Sequence, residues 1–385
     1  MRQLILSLFL LSILLAALPG VAAAAPAPQT SCLPSKFPVR SADCMQAGPW
    51  LNLGVKVEYG LVDPASILPS NSPDPGLSQL PFYYARVNTA NAPIFATPSD
   101  AHAGTPVART IESGLVYVTY QDVQEIDGKN YYMINFGEWM RRGDITPNQT
   151  YSQFAGLEFY ATPARTFGWV LENFQGGFLQ PTYTGPGLEF PLGELTYNPF
   201  DMVFVYETAE ANGLRWFRVG ADVWLESRQA RLVFPNTTPP EGVDGDRWID
   251  INLQEQTIAV YEDNQLVFAT LIATGLPGVW TRPGLFQVYE KHESTLMRGV
   301  FTADRSDFYS LEDVPWTMYF DDSRALHGAY WRARFGFEQS HGCVNLSVAD
   351  SHWLFNWAGL GDWVYVHDPS GRTPEDPSLY GSGGA

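Results

Sequence analysis

Cysteine is scarce in this chain: three residues in 385. An odd number cannot all pair, so at least one thiol is left over. Positive charge is scarce too. Only 23 Lys and Arg stand against 41 Asp and Glu, a formal net charge of −18. Nucleic acid is excluded as a natural partner, because its phosphates need Lys and Arg to neutralise them; the acidity reads as solubility. After the first twenty or so residues no apolar run is long enough to span a membrane. What the chain has in quantity is apolar and aromatic side chains, 45% and 14%. These are enough for packed cores in two or three domains, which excludes a wholly disordered chain.

The one long apolar run comes first. Arg2 gives a positive start, Leu4 to Leu18 is nearly unbroken, Pro19 and Gly20 end it, and Ala22 to Ala25 are small. This is the pattern of a secretory signal peptide over residues 1–25. The run falls short of the ~20 residues of a spanning helix, so cleavage between Val21 and Ala27 and export are expected. In an oxidising exterior Cys32 and Cys44 are expected to pair. Cys343 is then the lone thiol: a mate for another chain, an inert buried residue or a reactive group.

Residues 26–80 are rich in Pro, Ser and Asn and read as a loose leader, with regular structure beginning near Pro81. An internal repeat follows. Gly128-Lys129-Asn130-Tyr131-Tyr132-Met133-Ile134-Asn135-Phe136-Gly137-Glu138-Trp139 aligns without gaps on Gly213-Leu214-Arg215-Trp216-Phe217-Arg218-Val219-Gly220-Ala221-Asp222-Val223-Trp224. Upstream, Ala96-Thr97-Pro98 matches Ala161-Thr162-Pro163. Short aromatic and β-branched runs between Gly, Pro and Asn turns predict small all-β barrels over residues 81–150 and 151–240. These copies resemble the bacterial SH3-like modules that accompany wall enzymes. That resemblance implies wall binding or spacing, and most of the aromatics are expected to fill barrel interiors.

A Pro/Gly stretch at residues 231–245 marks the next boundary, with a third domain at 241–368. Ile249, Ile251 and Leu253 alternate with polar residues as a strand does. Thr257–Tyr261, Leu266–Ala273, Phe286–Tyr289, Trp316–Phe320 and Trp363–His367 read as further strands. One short helix is predicted, capped by Ser347 with Asp350 three residues on and ending near Trp357. Residues 369–385 read as a flexible tail.

The chemistry is concentrated in Ala325-Leu326-His327-Gly328 and Ser340-His341-Gly342-Cys343-Val344-Asn345-Leu346. A thiol near its free pKa of ~8.5 is mostly protonated at neutral pH and needs a base to attack. Two imidazoles, His327 and His341, lie close in sequence to Cys343. Gly342 lets the backbone turn sharply, and the N–H groups of Gly342 and Cys343 are placed to hold an oxyanion. The start of the predicted helix adds a positive end nearby. As a metal site, His327, His341, Cys343 and His352 match no standard zinc spacing, so no metal and no cofactor are expected. His352 reads as a surface residue, His367 and His102 as structural, and His292 as solvated. These residues alone point to a secreted thiol acyl-transfer enzyme, and leave open whether water or an amine accepts the acyl group.

The block from His327 to Asn345 resembles the signature of the L,D-transpeptidases: His-Gly, a spacer, then Ser/Thr-His-Gly-Cys, an apolar residue and Asn or Arg. The resemblance covers residues 246–368 and includes Thr274-Gly275 and Arg282-Pro283-Gly284-Leu285-Phe286, which is similar to the family's Thr-Pro-x-Gly-x-Phe. Here Arg282 separates Thr281 from Pro283, a departure read as bearing on folding more than on chemistry. The family implies a β-sandwich-like catalytic domain with a short helix after the cysteine, in a mainly β chain with two SH3-like barrels before it. It implies Cys343 as nucleophile and His327 as general base with its ring held by the carbonyl of Gly328. Ser340, His341 and Asn345 would shape the site, and Gly342 with Cys343 would form the oxyanion hole. Partners would be peptidoglycan stem peptides, as donor and acceptor, at the cell envelope. Two other readings stay in play: a carboxypeptidase or hydrolase with the same site, and a non-catalytic wall-binding protein. A papain-like peptidase is disfavoured because His327 precedes Cys343.

Overall fold

The computed structural model describes residues 68–147, 151–173 and 179–381, together with the strands Thr30–Cys32 and Cys44–Gln46. Those two strands pair in parallel, with Thr30 opposite Cys44. The signal segment and the side chains of Cys32 and Cys44 lie outside the described residues.

The chain is mainly β. Turn chemistry explains much of the local structure. Asp127-Gly128, Asn212-Gly213 and Asp263-Asn264 all have positive φ, and each links two antiparallel strands. Two left-handed residues in succession make the hairpin turn whose twist suits paired strands, and Asn, Asp and Gly tolerate it best.

Two seven-stranded sheets build the C-terminal half. One runs, in order, through Gly284–Gln287, Trp363–His367, Trp248–Asn252, Thr257–Glu262, Gln265–Leu271, Leu157–Phe159 and Ser70–Asn71. The other contains Tyr309–Asp321, Arg324–Gly328 and Val344–Leu346, with Glu290–Gly299 paired on Tyr309–Asp321. Every second residue of each sheet points inward. Ile249, Ile251, Val260, Phe268, Val364 and Val366 thus meet Met318, Phe320, Leu326, Val344 and Leu346 in one apolar core. The helix Val348–Trp357 closes it with Leu354, and Ser347 caps that helix by accepting the N–H of Asp350 at 3.1 Å. The Asp350 carboxyl bonds the side chain of the cap residue Ser347 as well. It is fully buried and accepts from the Gly156 N–H at 2.8 Å and the Thr270 hydroxyl at 2.5 Å.

The aligned repeat segments are matching hairpins, Lys129–Asn135 with Glu138–Arg141 and Leu214–Gly220 with Val223–Glu226. Tyr131, Tyr132 and Trp139 are buried in one, Trp216, Phe217 and Trp224 in the other. The upstream match does not hold structurally. Thr97 caps a helix, Pro98–Ala103, by accepting from Asp100 N, whereas Thr162 accepts the N–H of Leu266. The second copy has Arg165 where the first has Asp100, so the cap lacks its acidic partner.

No described sheet closes into a barrel. In the first copy Tyr83–Val87, Leu115–Tyr120 and Ile145–Pro147 join the second large sheet, because Tyr309–Leu311 pairs in parallel with Leu115–Tyr117. A free edge that finds a partner has no need to curl onto itself. Leu157–Phe159, assigned by the sequence to the second copy, pairs with Gln265–Leu271 instead.

Two further expectations are corrected. Residues 68–80 are not loose: Leu68 is core, Ser70–Asn71 is the last strand of a large sheet, and the carbonyl of Ser78 accepts the hydroxyl of Tyr151. The tail is ordered through Gly381, with Asp368 accepting from Ser370 N and Thr373 N and with Thr373 buried. The polar stretch 290–299 is a long edge strand; its side chains show little alternation, and its stability comes from the ladder to Tyr309–Asp321. Among the described residues, no helix is long and apolar enough to cross a membrane.

Candidate functional site

Strands Arg324–Gly328 and Val344–Leu346 run in parallel, with His327 opposite Asn345 and Gly328 opposite Leu346. Leu326, Val344 and Leu346 face the core. Alternation therefore puts Ala325, His327, Cys343 and Asn345 together on the other face. Cys343, one residue ahead of its strand, packs there with Ala325, Tyr309, Tyr330 and Val348. Gly328 has no room for a side chain, since a Cβ would sit 2.6 Å from the hydroxyl of Ser351.

His327 is buried, and both ring nitrogens are engaged. Nδ1 lies 3.2 Å from the Gly328 carbonyl and Nε2 lies 3.1 Å from Nδ2 of Asn345. The Arg332 guanidinium donates Nε–H to Oδ1 of Asn345 at 2.5 Å, which turns the amide nitrogen towards the histidine. One tautomer fits: Nδ1 carries the proton and donates to the carbonyl, while Nε2 accepts. Burial pushes the imidazole down to about 4, with Gly328 opposing and Arg332 adding to it. Burial likewise pushes the Cys343 thiol up to about 11, against the Ala325 N–H and the Arg324 guanidinium, which favour the thiolate. At neutral pH both groups are uncharged. The sulfur also lies 3.7 Å from the Ser323 carbonyl, a partner to which the thiol can donate.

The loop before Cys343 is clamped from inside. Ser340 donates its hydroxyl to the Cys343 carbonyl at 2.6 Å and accepts the Gly342 N–H at 3.1 Å. Thr281 donates to the Gly342 carbonyl at 2.8 Å and accepts the Gly275 N–H at 3.0 Å. Gly342 has φ +121°, where a side chain would be strained, and its Cβ would come within 3.3 Å of Arg324 Nε. The Gly342 N–H, expected at an oxyanion hole, is thus engaged within the loop.

Residues 246–366 match the family model YkuD, the L,D-transpeptidase catalytic domain. That match takes in about a third of the chain, and the family it describes is one of cysteine-dependent acyltransferases. Among solved structures it is similar to an L,D-transpeptidase from Stackebrandtia nassauensis, with 26% identity and a TM-score of 0.27 over 35% of this chain and 60% of that one. It is also similar to the catalytic domain of the E. faecium L,D-transpeptidase, with 27% identity and a TM-score of 0.29 over 33% of this chain and all of that one. An L,D-transpeptidase from Mycobacterium smegmatis matches at 15% identity and a TM-score of 0.31, over 55% of this chain and 90% of that one. The chain thus spans less than two thirds of the length of the first of these. No curated protein is similar enough to count as a match.

Within the matched residues, the structure gathers Cys343, His327, Gly328, Ser340, Gly342 and Asn345 around one sheet edge. His341 is adjacent in sequence, but its ring packs against those of Phe301 at 4.9 Å and Tyr309 at 5.4 Å, in a group of three nearly parallel rings. The two imidazoles therefore have different surroundings. His352, read as a surface residue, is half-buried and stacks on Trp316 at 3.8 Å. His367 bonds Asp250 at 2.8 Å beside a cleft of about 530 Å³ that holds none of the site residues. His292 bonds Glu290 at 2.8 Å, and His102 bonds the hydroxyl of Tyr131.

Sequence reasoning missed Arg332, Thr281 and Arg324. Nothing in their spacing separates them from surface residues; only the fold buries them beside the motif. Arg282, read as a matter of folding, bonds Asp321, which in turn bonds Arg324. The departure from the family pattern is therefore wired to the site.

Proposed function

We propose that this chain is an exported L,D-transpeptidase that cross-links peptidoglycan stem peptides. The observation that carries the proposal is the shared sheet face of Cys343, His327 and Asn345 inside a matched catalytic domain. Cys343 attacks the carbonyl before the terminal D-alanine of a donor stem. A carbon–sulfur bond forms, the carbon–nitrogen bond breaks, and the thiol proton passes through His327 to the departing amine of D-alanine. An amine from an acceptor stem then attacks the thioester, giving its proton to His327 as sulfur leaves and takes it back. The atoms balance, and no cofactor is required.

The neutral resting pair suits this order. With the thiol high and the imidazole low, proton transfer is uphill until attack on the carbonyl makes it favourable, so base catalysis is coupled to bond formation. The Cys343 N–H would hold the oxyanion, joined by that of Gly342 once it leaves Ser340. The SH3-like repeats would hold the enzyme to wall polymer, and the leader at 1–25 would direct export.

The test is intact mass of the purified protein incubated with a tetrapeptide muropeptide, beside C343A. An acyl adduct on wild type, with dimer and free D-alanine appearing, supports the transpeptidase. An adduct that decays only to the shortened stem would replace it with a hydrolase on the same site. No adduct from folded protein would leave a wall-binding role.

A further inference from the structure

Buried charge gathers beside the nucleophile. The buried carboxylate of Asp321 is bonded by two guanidiniums, Arg282 through Nε at 2.9 Å and also through Nη2, and Arg324 through Nη1 at 2.9 Å. The two guanidiniums share this one buried carboxylate, Arg282 also feels the exposed Asp322, and Arg324 is almost wholly buried, with 4% of its side chain exposed. Its remaining donors are instructive. Nη2 donates to the main-chain carbonyl of Gly381 at 3.1 Å, and the ring of Tyr380 covers the guanidinium at 5.3 Å. Nε is buried with no hydrogen-bond partner. It faces Gly342, the residue before the nucleophile. Arg332, a half-buried guanidinium at the site, is by contrast occupied by Asn345 and Gln339.

A buried cation with an unused N–H is costly unless a ligand completes it. Guanidinium prefers a carboxylate, which it can meet with two parallel bonds. In the donor of the reaction proposed above, on which this inference rests, one carboxylate lies a single residue past the carbonyl under attack. That is roughly 4 Å of chain. Arg324 is placed to meet it: the N–H of the next residue, Ala325, touches the sulfur, and the Arg324 side chain lies against Gly342.

We propose that Arg324 receives the terminal α-carboxylate of the donor stem, and that the chain's own Tyr380–Gly381 segment stands in for it until the donor binds. The Gly381 carbonyl supplies one oxygen where the carboxylate supplies two, which leaves Nε unsatisfied in the resting protein. Donor binding displaces the segment, and the lost carboxylate departs with the leaving amino acid.

The test compares two donors on the full chain: a tetrapeptide stem with a free C-terminal carboxylate, and the same stem as a C-terminal carboxamide. Thioester formation is followed by intact mass to give kcat/KM for each. Wild type is expected to favour the carboxylate about ten- to hundredfold, the scale of one charge-assisted pair. R324Q is expected to lose that ratio, R324K to retain part of it, and Y380A to lower KM for the carboxylate stem. Equal use of both stems by wild type, a result that needs no variant, would overturn the proposal. So would full discrimination by folded R324Q. An unchanged KM in Y380A would remove the stand-in role of the tail. If neither stem acylates wild type, the transpeptidase reading itself fails, and the carboxylate role fails with it.

Discussion

The protonation state of the resting site can be measured directly with a small alkylating reagent. A thiol held at about 11 is ionised in about one molecule per thousand at pH 8. A thiol at its ordinary value of 9.0 would be ionised in about one in ten. Iodoacetamide should therefore modify Cys343 about a hundredfold more slowly than free cysteine at pH 8, with burial slowing it further by a constant factor. The rate should climb about tenfold per pH unit between pH 7 and 10. A preformed thiolate–imidazolium pair predicts the opposite, a plateau from pH 5 to 8 bounded below by the histidine. With His327 down at about 4, no such plateau is expected, and H327A should leave the slope unchanged while blocking acylation by a stem peptide. Modification followed by mass across pH 5–10 decides the matter. A flat rate between pH 5 and 8, abolished in H327A, would refute the neutral pair.

Three other outcomes follow from the packing. C343A should abolish the acyl adduct while costing only about 1 kcal/mol in urea unfolding, since one buried atom is removed from a cluster of larger side chains; retained turnover would end the nucleophile assignment. N345A removes the amide that links Arg332 to Nε2 of His327, so kcat should fall about ten- to hundredfold with KM within about twofold. An equal rise in KM would argue for a substrate contact instead. Asp350 is raised from 3.8 to about 6, chiefly by burial. A carboxyl with a higher folded than unfolded pKa contributes stability that is whole below about pH 4 and lost as pH rises through about 6. D350N never ionises, so it should exceed wild type by up to about 3 kcal/mol at pH 7 and match it at pH 4 in urea titrations. Parallel pH curves would contradict this.

The repeats are not detachable spacers. Leu115–Tyr120 pairs with Tyr309–Asp321, and the Gly156 N–H bonds Asp350 on the helix Val348–Trp357. Removing residues 81–235 would therefore bare a sheet edge and leave a buried carboxylate short of a donor. A truncated protein is expected to lose its cooperative unfolding transition by circular dichroism, which would make its wall binding uninterpretable.

The sequence by itself determined the local units. Alternation set the strands around Ile249 and Trp363, positive-φ turn residues set the hairpins, and Ser347 set the helix start, because each depends on neighbours a few residues apart. It also singled out the candidate site residues, since Ser340-His341-Gly342-Cys343 and His327-Gly328 are contiguous strings. Only the tertiary structure decided which strands share a sheet. Edge pairing between Leu115 and Tyr309 joins residues almost two hundred positions apart, and many edges offer similar hydrogen bonds until the core selects one. The same holds for the site's supports. Arg332, Thr281, Asp321 and Arg324 look like ordinary polar residues in the string, and acquire their roles because the fold strips water from them beside the thiol. Burial, and not residue type, turns a surface charge into part of a site.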